Sequence, residues 1–94
     1  GLSHDEGVTY VLSHEMTHAA GVHSEVKTEG TIAEYFSHRA AAYEKLASQA
    51  SEAIKGDYQK QAQSYRRLAG VAKGRAAMGE DKLQGKDVGK YAKN

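Results

Sequence analysis

The stretch TIAEYFSHRAAAYEKLASQASEAIK, residues 31–55, decides the fold class. Its apolar residues recur every three or four positions, which is the period of one face of an α-helix. Alanine, the residue most favourable to helix, is frequent from position 40 onward, and the chain has no proline to break one. The stretch therefore predicts a long helix that begins after Thr31 as its N-cap and ends at about Lys55, before Gly56. The residues of its apolar seam are Ile32, Phe36, Tyr43, Ala47, Ala50 and Ile54.

The segment that follows predicts a second long helix, antiparallel to the first. Asp57 can cap this helix, which would extend to about Met78. Its seam repeats at intervals of four and three residues and consists of small and aromatic side chains. Small seam residues allow two helices to approach closely, so we expect a helical hairpin. The seam residues are Tyr58, Ala62, Tyr65, Ala69, Ala72 and Ala76.

A shorter helix is predicted ahead of the hairpin. Ser3 and Glu6 have the spacing of a capping box, which places the helix start near His4. The helix should end at Ala20, because Gly21 is suited to the left-handed residue that follows many helices. The predicted fold class is therefore all-α, with a short helix packed on a long antiparallel hairpin and no β-sheet.

The last part of the chain differs in composition from the predicted helices. Residues 79–94 are rich in Gly and Lys and contain few apolar side chains. We expect this polar segment to be a tail that is flexible or ordered by a partner. Residues 1–78 would then form the helical domain.

The composition restricts the chemistry. The chain has no cysteine, so disulfides and thiolate ligands are excluded, and a bound metal would need His, Asp or Glu. No apolar run reaches the length of a membrane span, and no signal-peptide pattern opens the sequence. Neither feature identifies a cellular location.

Charge is distributed unevenly along the chain. Residues 1–47 contain three Lys or Arg against seven Asp or Glu, whereas residues 48–94 contain ten against five. A basic half can contact an anionic partner such as nucleic acid. These basic residues do not alternate regularly with aromatic ones, so a solvated helix face with a lysine-rich tail is the favoured interpretation.

The stretch HEMTH, residues 14–18, carries the pattern with the clearest chemistry. Residues four apart lie on one face of a helix, so His14 and His18 can bind the same metal ion. Glu15, one position around the helix, would point beside the ion, where it can take a proton from water. This chemistry needs each of the three residues at this spacing.

The HEMTH stretch resembles the signature of the zincin metallopeptidases, which are zinc-dependent hydrolases. The resemblance covers residues 13–38 at most. It implies that zinc is the cofactor, that His14 and His18 are metal ligands, and that Glu15 is the general base. The implied substrate is a peptide or protein.

A catalytic zinc ion needs a third protein ligand, and Glu34 is the leading candidate. The stretch EYFSH, residues 34–38, resembles the E-x-x-(A/S)-D element of the gluzincin branch, in which the glutamate is a ligand. The aspartate position holds His38, which we expect to assist catalysis by orienting a neighbour or stabilising an oxyanion. Thr31 and Glu34 also fit a capping box, which would use the same carboxylate structurally.

Other third ligands remain open. HEMTHAAGVHS, residues 14–24, resembles the metzincin signature through its glycine, but His23 comes one position before the expected histidine, where Ser24 stands. The remaining alternatives are His38, Glu25 and Glu29.

Two classes of function follow. The first is a zinc metallopeptidase, either this domain alone or the C-terminal fragment of a larger zincin, because zincins place a β-sheet before the motif helix. The second is a non-enzymatic helical assembly module of a larger particle, such as a phage virion or secreted toxin complex. In that class the other chains of the assembly are the partners, and the metal site is structural or vestigial.

Overall fold

The architecture is entirely helical. A computed structural model of the chain describes residues 1–84, 86 and 88–92, and among these residues there is no strand. None of the helices in this part of the chain has the length and apolar character needed to cross a membrane. The elements are α1 (His4–Ala19), α2 (Glu25–Gln49), α3 (Glu52–Ala76), α4 (Glu80–Leu83) and a 3₁₀ helix (Val88–Ala92).

Helices α2 and α3 form the predicted hairpin, and α1 packs on it. Six of the twelve predicted seam residues are buried, and Phe36 and Ala72 are completely inaccessible to solvent. Tyr43 and Tyr65 stack across the hairpin with 5.8 Å between their ring centroids. These contacts confirm the all-α hairpin. The buried core comprises Tyr10, Ile32, Ala33, Phe36, Leu68, Ala69, Ala72 and Val88.

Helix α2 begins seven residues earlier than predicted. Its N-cap is Ser24, whose hydroxyl accepts a hydrogen bond from the Lys27 backbone N–H at 3.1 Å. Thr31 lies inside the helix, and its hydroxyl donates to the Lys27 carbonyl at 2.8 Å. The prediction of Thr31 as the N-cap was therefore wrong, because a threonine within a helix can bond to the preceding turn instead of capping.

The hairpin bend was also predicted at the wrong place. Helix α2 ends at Gln49, Ala50 adopts an extended conformation with ψ of 155°, and Ser51 is the N-cap of α3. Gly56 continues within α3, and Ile54 is 47% exposed and does not join the seam. A single glycine is only a weak helix breaker, so its position did not determine the bend.

Helix α1 has the predicted boundaries to within one residue. The capping box is formed, with the Ser3 N–H donating to Glu6 Oε1 at 2.9 Å and the Glu6 N–H donating to the Ser3 hydroxyl at 3.2 Å. Gly21 follows the C-cap with φ of +103°, the left-handed conformation for which a glycine was predicted.

An ion pair fixes α1 to α3. Arg67 Nη2 donates to Glu6 Oε2 at 2.7 Å, and the Ser64 hydroxyl donates to the same oxygen. Burial alone would raise the pKa of the Glu6 carboxyl. The hydrogen bonds from Arg67, Ser64 and the Ser3 N–H outweigh that effect and lower its pKa to about 2.

The described residues of the segment after α3 pack on α1 and α2, whereas a tail that is flexible or ordered by a partner was predicted. Gly79 turns the chain with φ of +86°, and Leu83 and Val88 are buried. The 3₁₀ helix lies against α1 so closely that a Cβ at Gly7 would stand 1.4 Å from the Tyr91 carbonyl oxygen. A few apolar side chains are enough to hold this segment despite its polar composition. Gly85, Asp87, Lys93 and Asn94 lie outside the described residues.

Candidate metal centre

The two motif histidines lie side by side on α1, as their spacing predicted. Their ring centroids are 4.5 Å apart and the rings meet edge to face. The His14 side chain is 6% exposed, whereas that of His18 is 24% exposed. The pair therefore lies at the edge of the core with one ring accessible from solvent.

Glu25, the first residue of α2, faces both imidazoles. Its Oε2 is 3.1 Å from His14 Nε2, and its Oε1 is 2.9 Å from His18 Nε2. One ligand atom from each of the three residues lies within 4.8 Å of the other two. His14, His18 and Glu25 therefore form a group that could hold a metal ion.

A backbone hydrogen bond determines the tautomer of His18. Its Nδ1 lies 2.7 Å from the Val22 carbonyl oxygen, which can only accept, so Nδ1 carries the hydrogen. In the neutral ring Nε2 then presents its lone pair to the Glu25 carboxylate. A lone pair and a carboxylate at 2.9 Å need a cation between them, either a proton or a metal ion. An N–H to carbonyl bond of this kind is the usual outer support of a metal-binding histidine.

The donor set is one that a divalent cation can use. The two distances from Glu25, 3.1 Å from Oε2 to His14 Nε2 and 2.9 Å from Oε1 to His18 Nε2, also fit direct hydrogen bonds from protonated imidazoles. Two imidazoles and a carboxylate are also a donor set that zinc uses in catalytic sites. The residues present therefore fit a metal ion.

Glu29 lies behind the histidines and is completely buried. It accepts hydrogen bonds from the Tyr10 hydroxyl and from Arg75 Nε, the latter at 2.9 Å. Its other oxygen, Oε1, has no hydrogen-bond partner and lies 3.7 Å from His14 Nε2. Burial raises the pKa of the Glu29 carboxyl, against the opposing hydrogen bond from Tyr10 and charge of Arg75. Glu29 thus places an unpaired oxygen next to the candidate ligands without belonging to the ligand group.

Glu80, from α4, contacts the first turn of α2. It accepts hydrogen bonds from the Ser24 hydroxyl, the Glu25 N–H at 3.2 Å and the Val26 N–H at 3.0 Å. These bonds hold the pKa of the Glu80 carboxyl below its usual value, with the Ser24 bond making the largest contribution. The backbone of Glu25, the candidate ligand, is therefore held by the Glu80 side chain, 55 positions away in the sequence.

Glu15 lies at the rim of the centre. Its side chain is 66% exposed, and its Oε1 is 3.7 Å from His14 Nδ1, a buried nitrogen without a hydrogen-bond partner. A cleft of about 620 Å³ opens beside it, and α1, α2 and the C-terminal segment all contribute to its walls. The lining residues are His14, Glu15, His18, His23, Glu25, Glu80, Leu83, Gln84, Lys86 and Val88.

The structure does not bring Glu34 or His38 to the histidines. Both side chains are exposed on α2, and neither belongs to the ligand group. Because α2 begins at Glu25, Glu34 follows nine residues later and points to the opposite side of the helix, about 180° away. The candidate group contains Glu25, one of the alternatives left open, and not Glu34. His23 is exposed and lines the cleft outside the group.

No protein-family model, curated protein or solved structure matches this chain. The functional conclusion therefore depends on the geometry of the centre.

Proposed function

We propose that the chain is a zinc-dependent peptidase whose metal ligands are His14, His18 and Glu25. The observation that supports this is the convergence of the three ligand atoms within 4.8 Å, at a cleft that also contains Glu15. Three protein ligands leave a coordination position open, as catalytic zinc sites require. A site with four protein ligands, as in structural zinc sites, has no such open position.

Each residue has a distinct role in this proposal. Zinc bound by the three ligands would supply a Lewis acid that polarises a peptide carbonyl and acidifies water. Glu15, at the solvent-facing rim, accepts a proton from the attacking water. As the carbon–nitrogen bond breaks, Glu15 returns that proton to the leaving amine. The Val22 carbonyl keeps the Nε2 atom of His18 available to the metal.

The experiment is a comparison of zinc content and hydrolysis in matched variants. Equilibrium dialysis should find about one zinc per wild-type chain, and His14→Ala should lose it. Glu15→Gln should keep its zinc and lose cleavage of a quenched-fluorescence peptide library. Glu34→Gln, the same change at an exposed glutamate on α2, should retain both. A wild-type protein that binds no zinc, or a Glu15→Gln variant as active as wild type, would contradict the proposal.

A second candidate is the helical assembly module with a structural metal. It is supported by two large apolar side chains on α1 that remain uncovered, since Leu12 is 57% and Met16 is 70% exposed. In that case the metal would clip α1 to α2, and Leu12 and Met16 would contact another chain. Sedimentation analysis separates the candidates: self-association that Met16→Lys abolishes, without zinc-dependent hydrolysis, favours the assembly module.

A further inference from the structure

Glu25 occupies a place in its helix where a metal ligand is difficult to hold. It is the first residue of α2, and the first four N–H groups of a helix have no partner within the helix. Such a turn frays unless other groups accept these hydrogen bonds. The carboxylate of Glu25 can remain against two imidazoles only if this turn is fixed.

Two side chains accept the hydrogen bonds of that turn. The N–H groups of Glu25 and Val26 both donate to Glu80, at 3.2 Å and 3.0 Å. The N–H of Lys27 donates to the Ser24 hydroxyl, which itself donates to Glu80. Glu80 therefore contacts the first turn of α2 at three points, one of which is the backbone of the candidate ligand.

The chain turn that follows α3 places the Glu80 side chain near α2. Gly79 takes a left-handed conformation, with φ of +86°, and turns the chain directly after α3 so that Glu80 reaches α2. One residue before the end of α3, Arg75 Nε donates to Glu29 Oε2 at 2.9 Å. Arg75 at the end of α3 and Glu80 at the start of α4 thus contact Glu29 and Glu25, respectively, in the first two turns of α2. Glu80 also lines the cleft that contains the histidines.

We infer that Glu80 is a positioning residue of the metal centre, which holds Glu25 against His14 and His18 by fixing the first turn of α2. The inference rests on the proposed zinc site and extends it to a residue outside the motif. Outer-shell partners of metal ligands typically contribute a factor of ~10–100 in metal affinity. The described C-terminal segment is, on this basis, part of the metal site.

The experiment measures metal binding directly, by competition with a chromophoric zinc chelator and by the visible absorption of the Co²⁺-loaded protein. Glu80→Ala should raise the Kd for Zn²⁺ by ~10–100-fold and change the Co²⁺ spectrum, because Glu25 is no longer held in place. Glu80→Gln, which keeps one acceptor oxygen, should fall between Glu80→Ala and wild type. Asp81→Ala removes the neighbouring exposed carboxylate and should leave both measurements at their wild-type values.

Circular dichroism of the metal-free variants separates positioning from folding. Glu80→Ala should keep the wild-type helical signal without metal. Wild-type affinity for Zn²⁺ and an unchanged Co²⁺ spectrum in folded Glu80→Ala would overturn the inference about Glu80 but not the proposed zinc site. If Glu80→Ala is unfolded, Glu80→Gln is measured instead, and wild-type Zn²⁺ affinity in folded Glu80→Gln would overturn the inference. A wild-type chain that binds no Zn²⁺ would overturn both the zinc site and the role of Glu80. A loss of Zn²⁺ affinity in Asp81→Ala equal to that in Glu80→Ala would show a general effect of charge and would also overturn the role of Glu80.

Discussion

Glu25 and His18 face each other across the turn between α1 and α2, with Glu25 Oε1 2.9 Å from His18 Nε2. Only five residues, 20–24, separate the two helices. The turn therefore brings the start of α2 to the end of the motif helix.

The first prediction concerns the identity of the third ligand. Glu25→Ala should raise the Kd for Zn²⁺ by more than the ~10–100-fold typical of an outer-shell partner, because a direct ligand is removed. Isothermal titration of the metal-free protein with Zn²⁺ measures the change. Glu34→Ala is the matched control and should bind like wild type. The reverse ranking would restore Glu34 as the ligand.

The second prediction concerns stability in acid. The folded-state pKa of Glu6 is about 2, below its ordinary value of 4.5, so its contribution to stability is present above pH 4.5 and is lost as the pH falls towards 2. Arg67→Met should weaken this pH dependence of the melting temperature. Arg66→Met removes the exposed pair with Glu44 and should change it much less. Identical melting curves for the two variants between pH 2 and 5 would contradict the assignment.

The third prediction concerns the contact between α1 and the 3₁₀ helix. Gly7→Ala places a Cβ 1.4 Å from the Tyr91 carbonyl oxygen, so the 3₁₀ helix must move away. We expect a loss of about 1–3 kcal/mol or more in the free energy of unfolding, measured by urea denaturation. Gly70→Ala, in open space on α3, should instead gain up to about 1 kcal/mol. A neutral Gly7→Ala variant would show that the two elements are not in this contact.

The fourth prediction concerns the buried pair of Glu29 and Arg75. Arg75→Met leaves an unpaired buried carboxylate and should cost roughly 3–5 kcal/mol in the free energy of unfolding. The double variant Glu29→Gln/Arg75→Met should recover part of this loss, because no buried charge remains and the amide can still accept from Tyr10. Urea denaturation of the two variants gives the comparison. A double variant less stable than Arg75→Met would contradict this account.

The sequence was sufficient to predict that three long helices form and that the two motif histidines share one helix face, because both features depend on local spacing. The capping box at Ser3 and the apolar seam around Phe36 are short-range patterns, and the structure confirms them. The start of α2 was missed because Thr31 and Ser24 are both residue types that cap helices, and the capping-box spacing of Thr31 and Glu34 favoured Thr31. What favours Ser24 is Glu80, a partner more than 50 residues away.

The difference between Glu34, the predicted third ligand, and Glu25, the residue of the candidate group, follows from that boundary. In a helix capped by Thr31, Glu34 lies in the first turn, next to the end of α1. In the observed helix, Glu25 lies in the first turn and Glu34 lies on the side of α2 opposite Glu25. A local signal was present, since Ser24 followed by an acidic residue is a frequent helix start. The burial of Glu29 and its hydrogen bonds could not be predicted, because its partners Tyr10 and Arg75 come from two other helices.

Because the turn between α1 and α2 is short, the residues of the candidate centre have a compact and recognisable spacing in the sequence. His14, Glu15, His18, Glu25 and Glu29 follow the order H-E-x-x-H, six intervening residues, E, three intervening residues, E. Any chain with this spacing and a glycine soon after the second histidine can be screened for the same arrangement from its letters alone. We expect the insertion of a single residue in the turn to rotate and shift both glutamates relative to the imidazoles.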